Sequence, residues 1–300
     1  MQKVFKRSMS MLLALIMLLS SAVNNVAFAA DATQIPQQIA LALTSEPQTS
    51  ISINWTTIDT SLTGAKVKVW KGADESTAVY HDAVIEKRTV GSSTIKDSSS
   101  QPITEKNFYS VTIKGLTPDT EYNYKLGTDA AMSGVRSFKT AQDDKGEFSF
   151  IYVSDSQVDG DHAKGWNANL DVMKEKYPNA KFIYIAGDLT NTTANEGQWE
   201  SFFNQPGNEQ YNEKYSGSFI SEIPTVAAMG NHDASGGGAG GMSSHYTWGS
   251  EVAGVPVSYA FDYGAARIII LNFENSYSMN NETTRAEQEK FLRKEVDEAK

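Results

Sequence analysis

Three short segments each run from an apolar stretch into residues that can hold metal ions. They are FSFIYVSDSQ with Asp155 and Gln157, FIYIAGDLTN with Asp188, and TVAAMGNHD with Asn231, His232 and Asp233. Carboxylate and amide oxygens are ligands for hard cations, and an imidazole can ligate a metal or move a proton. Such chemistry requires the groups to converge, and their intervals allow it. Asp188 lies 33 positions after Asp155, and Asn231 lies 43 after Asp188. Each interval suits a strand-helix-strand unit of roughly 30 residues or more, which returns the chain to a neighbouring loop.

The elements that must position these groups follow from the pattern around them. Phe148 to Val153, Phe182 to Ala186 and Thr225 to Met229 are near-continuous apolar runs, as expected for strands buried on both faces. Between them, Asn169 to Lys176 and Thr193 to Phe203 carry helical spacing, with Trp199, Phe202 and Phe203 as an apolar face. Alternating strands and helices predict an α/β layered domain with its ligands at the carboxyl ends of the strands. Gly187 and Gly230 precede the candidate ligands and allow sharp turns and close backbone approach. Val257 to Tyr263 and Arg267 to Leu271, joined across Gly264, read as a hairpin of a second sheet. Thr284-Arg285-Ala286-Glu287 has the form of a capping box, and the helical face of Phe291, Leu292, Val296 and Ala299 continues to Lys300 without a stop signal.

In this order, D-x-Q, GDLTN and GNHD resemble the calcineurin-like metallophosphoesterase superfamily, whose pattern is D-x-H, GD-x-x-(D/N/Y), GNH(D/E) and two later histidine motifs. The resemblance implies an αββα-type layered domain over 148–300 and two divalent or trivalent metal ions, manganese, iron or zinc, that activate a water for attack on a phosphate ester. By that resemblance Asp155 is a ligand of the first metal, Asp188 the bridging carboxylate and Asn231 an amide ligand of the second metal. His232 is then the group that hydrogen-bonds the leaving or phosphoryl oxygen, with Asp233 as the carboxylate that keeps its imidazole protonated. Two departures stand out. Gln157 occupies the histidine position of D-x-H, and an amide is a weaker zinc or iron ligand than imidazole. Asn191 stands where purple acid phosphatases carry tyrosine, so it is expected to act through hydrogen bonds around the ligands and to give no tyrosinate colour. No histidine follows His245, and the last helix is expected to be cut short, so the α/β domain is read as truncated at its C-terminus. His162 and His245 are further candidates to line the cleft, whereas His81 reads as a surface residue.

Between about Pro36 and Ala141 short runs alternate apolar and polar residues, the pattern of half-buried antiparallel sheets packed as a sandwich. Strands are predicted near Ile39 to Leu43, Ile51 to Trp55, Ala65 to Trp70, Tyr109 to Ile113, Tyr122 to Leu126 and Ser137 to Thr140. In Leu116-Thr117-Pro118-Asp119-Thr120-Glu121-Tyr122, a tyrosine just after a proline turn predicts a tyrosine corner. This part (30–141) resembles a fibronectin type III domain of the kind that precedes the catalytic domain of purple acid phosphatases and related bacterial esterases. It is expected to act as a spacer and packing domain, with cell-wall or glycan contact as the alternative. Residues 142–147, polar and without periodicity, read as the linker.

Composition bounds the rest. Lys3, Lys6 and Arg7, an apolar run from Met11 to Leu19 and Ala27-Phe28-Ala29 form a secretory signal peptide over 1–29. Its loss takes the formal charge from -10 to -13, which suits nucleic acid poorly except as a substrate. Cysteine is absent, which excludes disulfides and thiolate metal sites. With no later run long enough to span a bilayer, the chain is expected to be secreted or cell-wall associated. The expected function is an exported phosphoesterase acting on a phosphomonoester or phosphodiester. A secreted binding protein on the same scaffold, impaired in catalysis, is the alternative.

Overall fold

A computed structural model describes residues 31–96, 99–160, 162–203, 216–235, 240–248, 251–274 and 280–299. The expected signal peptide lies outside them. Residues 32–300 form one compact unit.

Eight strands build the N-terminal part: β1 Gln37–Ala42, β2 Ile51–Thr57, β3 Lys66–Trp70, β4 Val79–Asp82, β5 Val84–Thr89, β6 Glu105–Ile113, β7 Glu121–Gly127 and β8 Arg136–Lys139. The order β4-β3-β7-β8 makes one antiparallel sheet, and β5, β6, β2 and β1 belong to the other. This is the expected sandwich. Its tyrosine corner is present, with the Thr117 amide donating to the Tyr122 hydroxyl at 2.8 Å. Inside, Trp55 stacks on Tyr109 at 5.0 Å between centroids, an aromatic pair worth about 1 kcal/mol beyond its area.

The second part contributes β9 Ile151–Val153, α1 Ala163–Lys176, β10 Ile183–Ile185, α2 Glu196–Phe203, β11 Thr225–Ala227, α3 Asn231–Ala234, α4 Gly240–His245, β12 Tyr259–Tyr263, β13 Ala266–Ile270 and α5 Glu282–Glu298. Strands β9, β10 and β11 are parallel neighbours. β11 also pairs in parallel with β1, so a single seven-stranded sheet, β5-β6-β2-β1-β11-β10-β9, runs through both parts.

That continuity changes what alternation means in the sandwich. The predicted polar face of β2 is buried along with its apolar face, because the second part covers it. Asn54 exchanges two hydrogen bonds with Thr247, at 2.9 and 3.0 Å. Three further expectations are revised. β9 is an edge strand, and its Tyr152 is exposed. β4 and β5 were not predicted, since none of their residues is buried and they leave no alternating apolar signal. Helix α5 starts three residues before the supposed box: Asn281 is the cap, and its side-chain oxygen accepts from the Thr284 amide at 3.2 Å.

Candidate functional site

Asp155 lies two residues beyond β9, Asp188 three beyond β10 and Asn231 four beyond β11, so the three motifs share the carboxyl edge of neighbouring parallel strands. Backbone bonds zip the first two loops together. The Asp155 amide donates to the Gly187 carbonyl at 3.2 Å, Gln157 to Asp188 at 2.8 Å, and Val158 to Leu189 at 3.1 Å. The backbone here is strained. Asp155, Gln157 and Asp188 have φ of 54°, 36° and 55°, in the left-handed region that costs a non-glycine residue about 1 kcal/mol or more. Strain of this kind collects where a backbone must hold side chains against a ligand.

Glycine provides the remaining geometry. Gly187 has φ of 96°, a conformation few other residues adopt, while Gly230 has an ordinary φ and is needed for space. A Cβ on Gly230 would lie 2.0 Å from Asp188 Oδ1. The second and third loops therefore touch, and the His232 amide donates to Asp188 Oδ1 at 2.9 Å. Gln157 Nε2 donates to Asp188 Oδ2 at 3.3 Å, which makes Asp188, 6% exposed, the centre of the group. Asp155 and Asn231 are exposed at its rim, and the Ser154 hydroxyl donates to Asp155 Oδ2.

The two residues expected to act together are separated. The carboxylate of Asp233 is fully buried and accepts from three amides: Asp188 at 2.7 Å, Leu189 at 3.0 Å and Gly230 at 3.0 Å. Burial pushes its pKa up to about 6; the three amides oppose the rise and the nearby Asp188 charge adds to it. Asp233 is thus a clamp between loops, and the expectation that it faces the imidazole is corrected. His232 Nδ1 instead lies 2.9 Å from the Asn191 carbonyl oxygen. A carbonyl only accepts, so Nδ1 carries the hydrogen and Nε2 is the nitrogen left to a ligand. Asn191, expected to hydrogen-bond around the ligands, instead holds His232 through its backbone carbonyl.

His162 is exposed beside Asp159, at 3.0 Å. His245 does not line the cleft; it is 3% exposed and stacked on Trp199 at 4.4 Å.

As a metal site, the constellation offers two carboxylates and two amides. Oxygen donors of this kind fit a hard divalent cation, with Asp188 able to bridge. Among the described residues no group of three or more His, Cys, Asp or Glu could hold a metal ion, so the amides of Gln157 and Asn231 are needed to complete the donor set.

Residues 36–140 match the purple acid phosphatase N-terminal domain, and residues 148–299 match the calcineurin-like phosphoesterase family. Among solved structures, a purple acid phosphatase from yellow lupin (Lupinus luteus) seeds is 18% identical with a TM-score of 0.62, covering 88% of this chain and 48% of its own. PhoD is 13% identical with a TM-score of 0.50, covering 80% of this chain and 52% of its own. At these identities the likeness is one of fold, and the chain spans about half the length of the structures it matches. No curated protein matched. With a match that covers half of its length, the chain belongs to the calcineurin-like phosphoesterase family.

Proposed function

We propose that this protein is an exported, metal-dependent phosphoesterase that hydrolyses a phosphomonoester or phosphodiester. The observation that carries the reading is the convergence of Asp155, Gln157, Asp188, Asn231 and His232 at adjoining strand ends, three of them in strained backbone. Asp155, Gln157, Asp188 and Asn231 would hold the metal, with Asp188 shared between two ions. When bound, the metal supplies an activated water and neutralises phosphoryl charge. The chain's own residues then do the rest. His232, its Nδ1 fixed by the Asn191 carbonyl, presents Nε2 to a substrate oxygen and, when protonated, donates to the departing alkoxide. Asp233 holds the amides of residues 188, 189 and 230 in register, which keeps the second and third loops from parting as an anion enters. Metal identity, manganese, iron or zinc, and the alcohol part of the substrate are further parts of the proposal.

The signal-like N-terminus supports export to the cell surface or medium, and among the described residues no helix is long and apolar enough to cross a membrane. One observation favours a second reading, a binding protein impaired in catalysis: Gln157 turns its amide nitrogen toward Asp188, a donor rather than a ligand until the amide rotates by half a turn. Hydrolysis of an aryl phosphate and an aryl phosphodiester, measured beside metal content, separates the two. Turnover that is lost on chelation and restored by added metal supports the enzyme; metal-independent inactivity supports the binding protein.

A further inference from the structure

We propose that the N-terminal sandwich seats His232, and that Glu196 is the positioning residue through which it does so; only the kinetic consequence rests on the phosphoesterase reading. Residues 191–200 have two ends with different partners. At one end the Asn191 carbonyl holds His232 Nδ1 at 2.9 Å, and Thr193 Oγ1 donates to the Asp233 carbonyl at 2.9 Å. At the other end is α2, whose buried Glu196 and Glu200 meet the sandwich.

The grip is dense. Lys106 Nζ on β6, fully buried, lies 2.6 Å from Glu196 Oε1 and 3.0 Å from Glu200 Oε1. Gln38 Nε2 donates to Glu196 Oε1 at 2.8 Å. Ser93 Oγ donates to Glu200 Oε1 at 2.6 Å, and Thr94 reaches Glu200 Oε2 with its amide at 2.8 Å and its hydroxyl at 2.5 Å. The backbone joins in: the Glu196 amide donates to the Gly91 carbonyl at 2.9 Å and the Gly197 amide to Ser92 at 3.2 Å. On Glu196 the remaining oxygen, Oε2, faces His245 Nε2 at 3.5 Å.

Two details point beyond generic packing. Gln38 holds φ of 50° at an irregularity in the β1–β2 register, so strained backbone aims its amide into the network. Gly197 has no room for a methyl: a Cβ would stand 2.6 Å from the Ser92 carbonyl oxygen and 2.8 Å from Thr94 Cγ2. Buried ion pairs are poor sources of stability because desolvation offsets their attraction. What this one does is fix where α2 begins, and thereby where Asn191 and Thr193 sit.

Ring 15N spectra of the full chain with magnesium present test this directly, since the four histidines are easily told apart. In the wild type, neutral His232 should give a single Nδ1–H form. Glu196→Gln and Gly197→Ala should convert it to a mixture of tautomers, while Val67→Ala, in the sandwich core, should lower thermal stability and leave the His232 signal unchanged. If the wild type hydrolyses an aryl phosphate, the first two variants should lower kcat roughly tenfold to a hundredfold with KM unchanged, the scale of a misplaced catalytic group. Retention of the single form in both variants, or equal disturbance in Val67→Ala, would overturn the proposal. Should Gly197→Ala not fold, Glu196→Gln and Ser93→Ala decide it, and an unchanged signal in both overturns it. An inactive wild type whose tautomer still responds leaves the proposal standing and removes the phosphoesterase reading; an active wild type whose tautomer does not respond does the reverse.

Discussion

The Asp233 carboxylate is taken up by three backbone amides while the His232 imidazole is held by the Asn191 carbonyl, and this divides the work between the two residues. Replacing His232 by Gln should therefore lower turnover by about a hundredfold or more, the usual worth of a positioned acid, with metal content unchanged; equal loss of both, read by metal analysis beside the assay, would make His232 a ligand. Asp233→Asn sets an NH2 group against amide donors. It should cost roughly 2 to 4 kcal/mol of unfolding free energy, from a lost charge-assisted bond and an unsatisfied donor; denaturant unfolding with little change would contradict the clamp. The placement of Asp155, Gln157, Asp188 and Asn231 at adjoining strand ends was legible in the sequence because each depends only on a strand end and the few residues after it. Asp233 was misread because a carboxylate beside a histidine suggests a partner, and adjacent residues of a helical turn point in different directions. For His245 and Lys106 no local signal of burial exists: a histidine after a glycine run suggests a residue lining the cleft and a lysine at a strand start suggests a solvated one, and only the completed fold encloses them.

At the scale of elements, α2 links the sandwich to the site loops, and its charge makes that link sensitive to acid. Burial alone would raise the pKa of Glu196, but Lys106 and then His245 outweigh it and hold the carboxyl at about 2. A depressed carboxylate contributes stability that is whole above its unfolded value of about 4.3 and lost as pH falls through its folded value. The wild type should thus lose stability between about pH 4 and pH 2, and Glu196→Gln should be less stable at neutral pH with a flatter profile across that window. Parallel profiles in urea titrations would show that Glu196 carries no such linkage. Helices α1 and α2 were foreseen because their apolar faces repeat; the short α3 and α4 carry no such repeat and were not, nor were β4 and β5, none of whose residues is buried.

Across the whole molecule, the contact least visible in sequence is the pairing of β1 with β11. Nothing in either strand names a partner some 180 residues away, and the polar linker marked a boundary between the two parts without saying how they join. With a seven-stranded sheet and a large apolar core that both run through the two parts, residues 32–300 should unfold in a single calorimetric transition; two resolved transitions would mean that the shared sheet does not couple the parts. The purple acid phosphatase N-terminal match and the phosphoesterase match therefore describe regions of one structure. Its site edge is built from β9, β10 and β11, with β1 alongside. The central claim is that this edge holds metal through Asp155, Gln157, Asp188 and Asn231, and the most direct test is the metal content of the purified wild type beside Asp188→Asn. Bound metal in the wild type that is lost from a folded Asp188→Asn variant is the predicted result. Metal absent from the wild type, or retained in full by the variant, would contradict it.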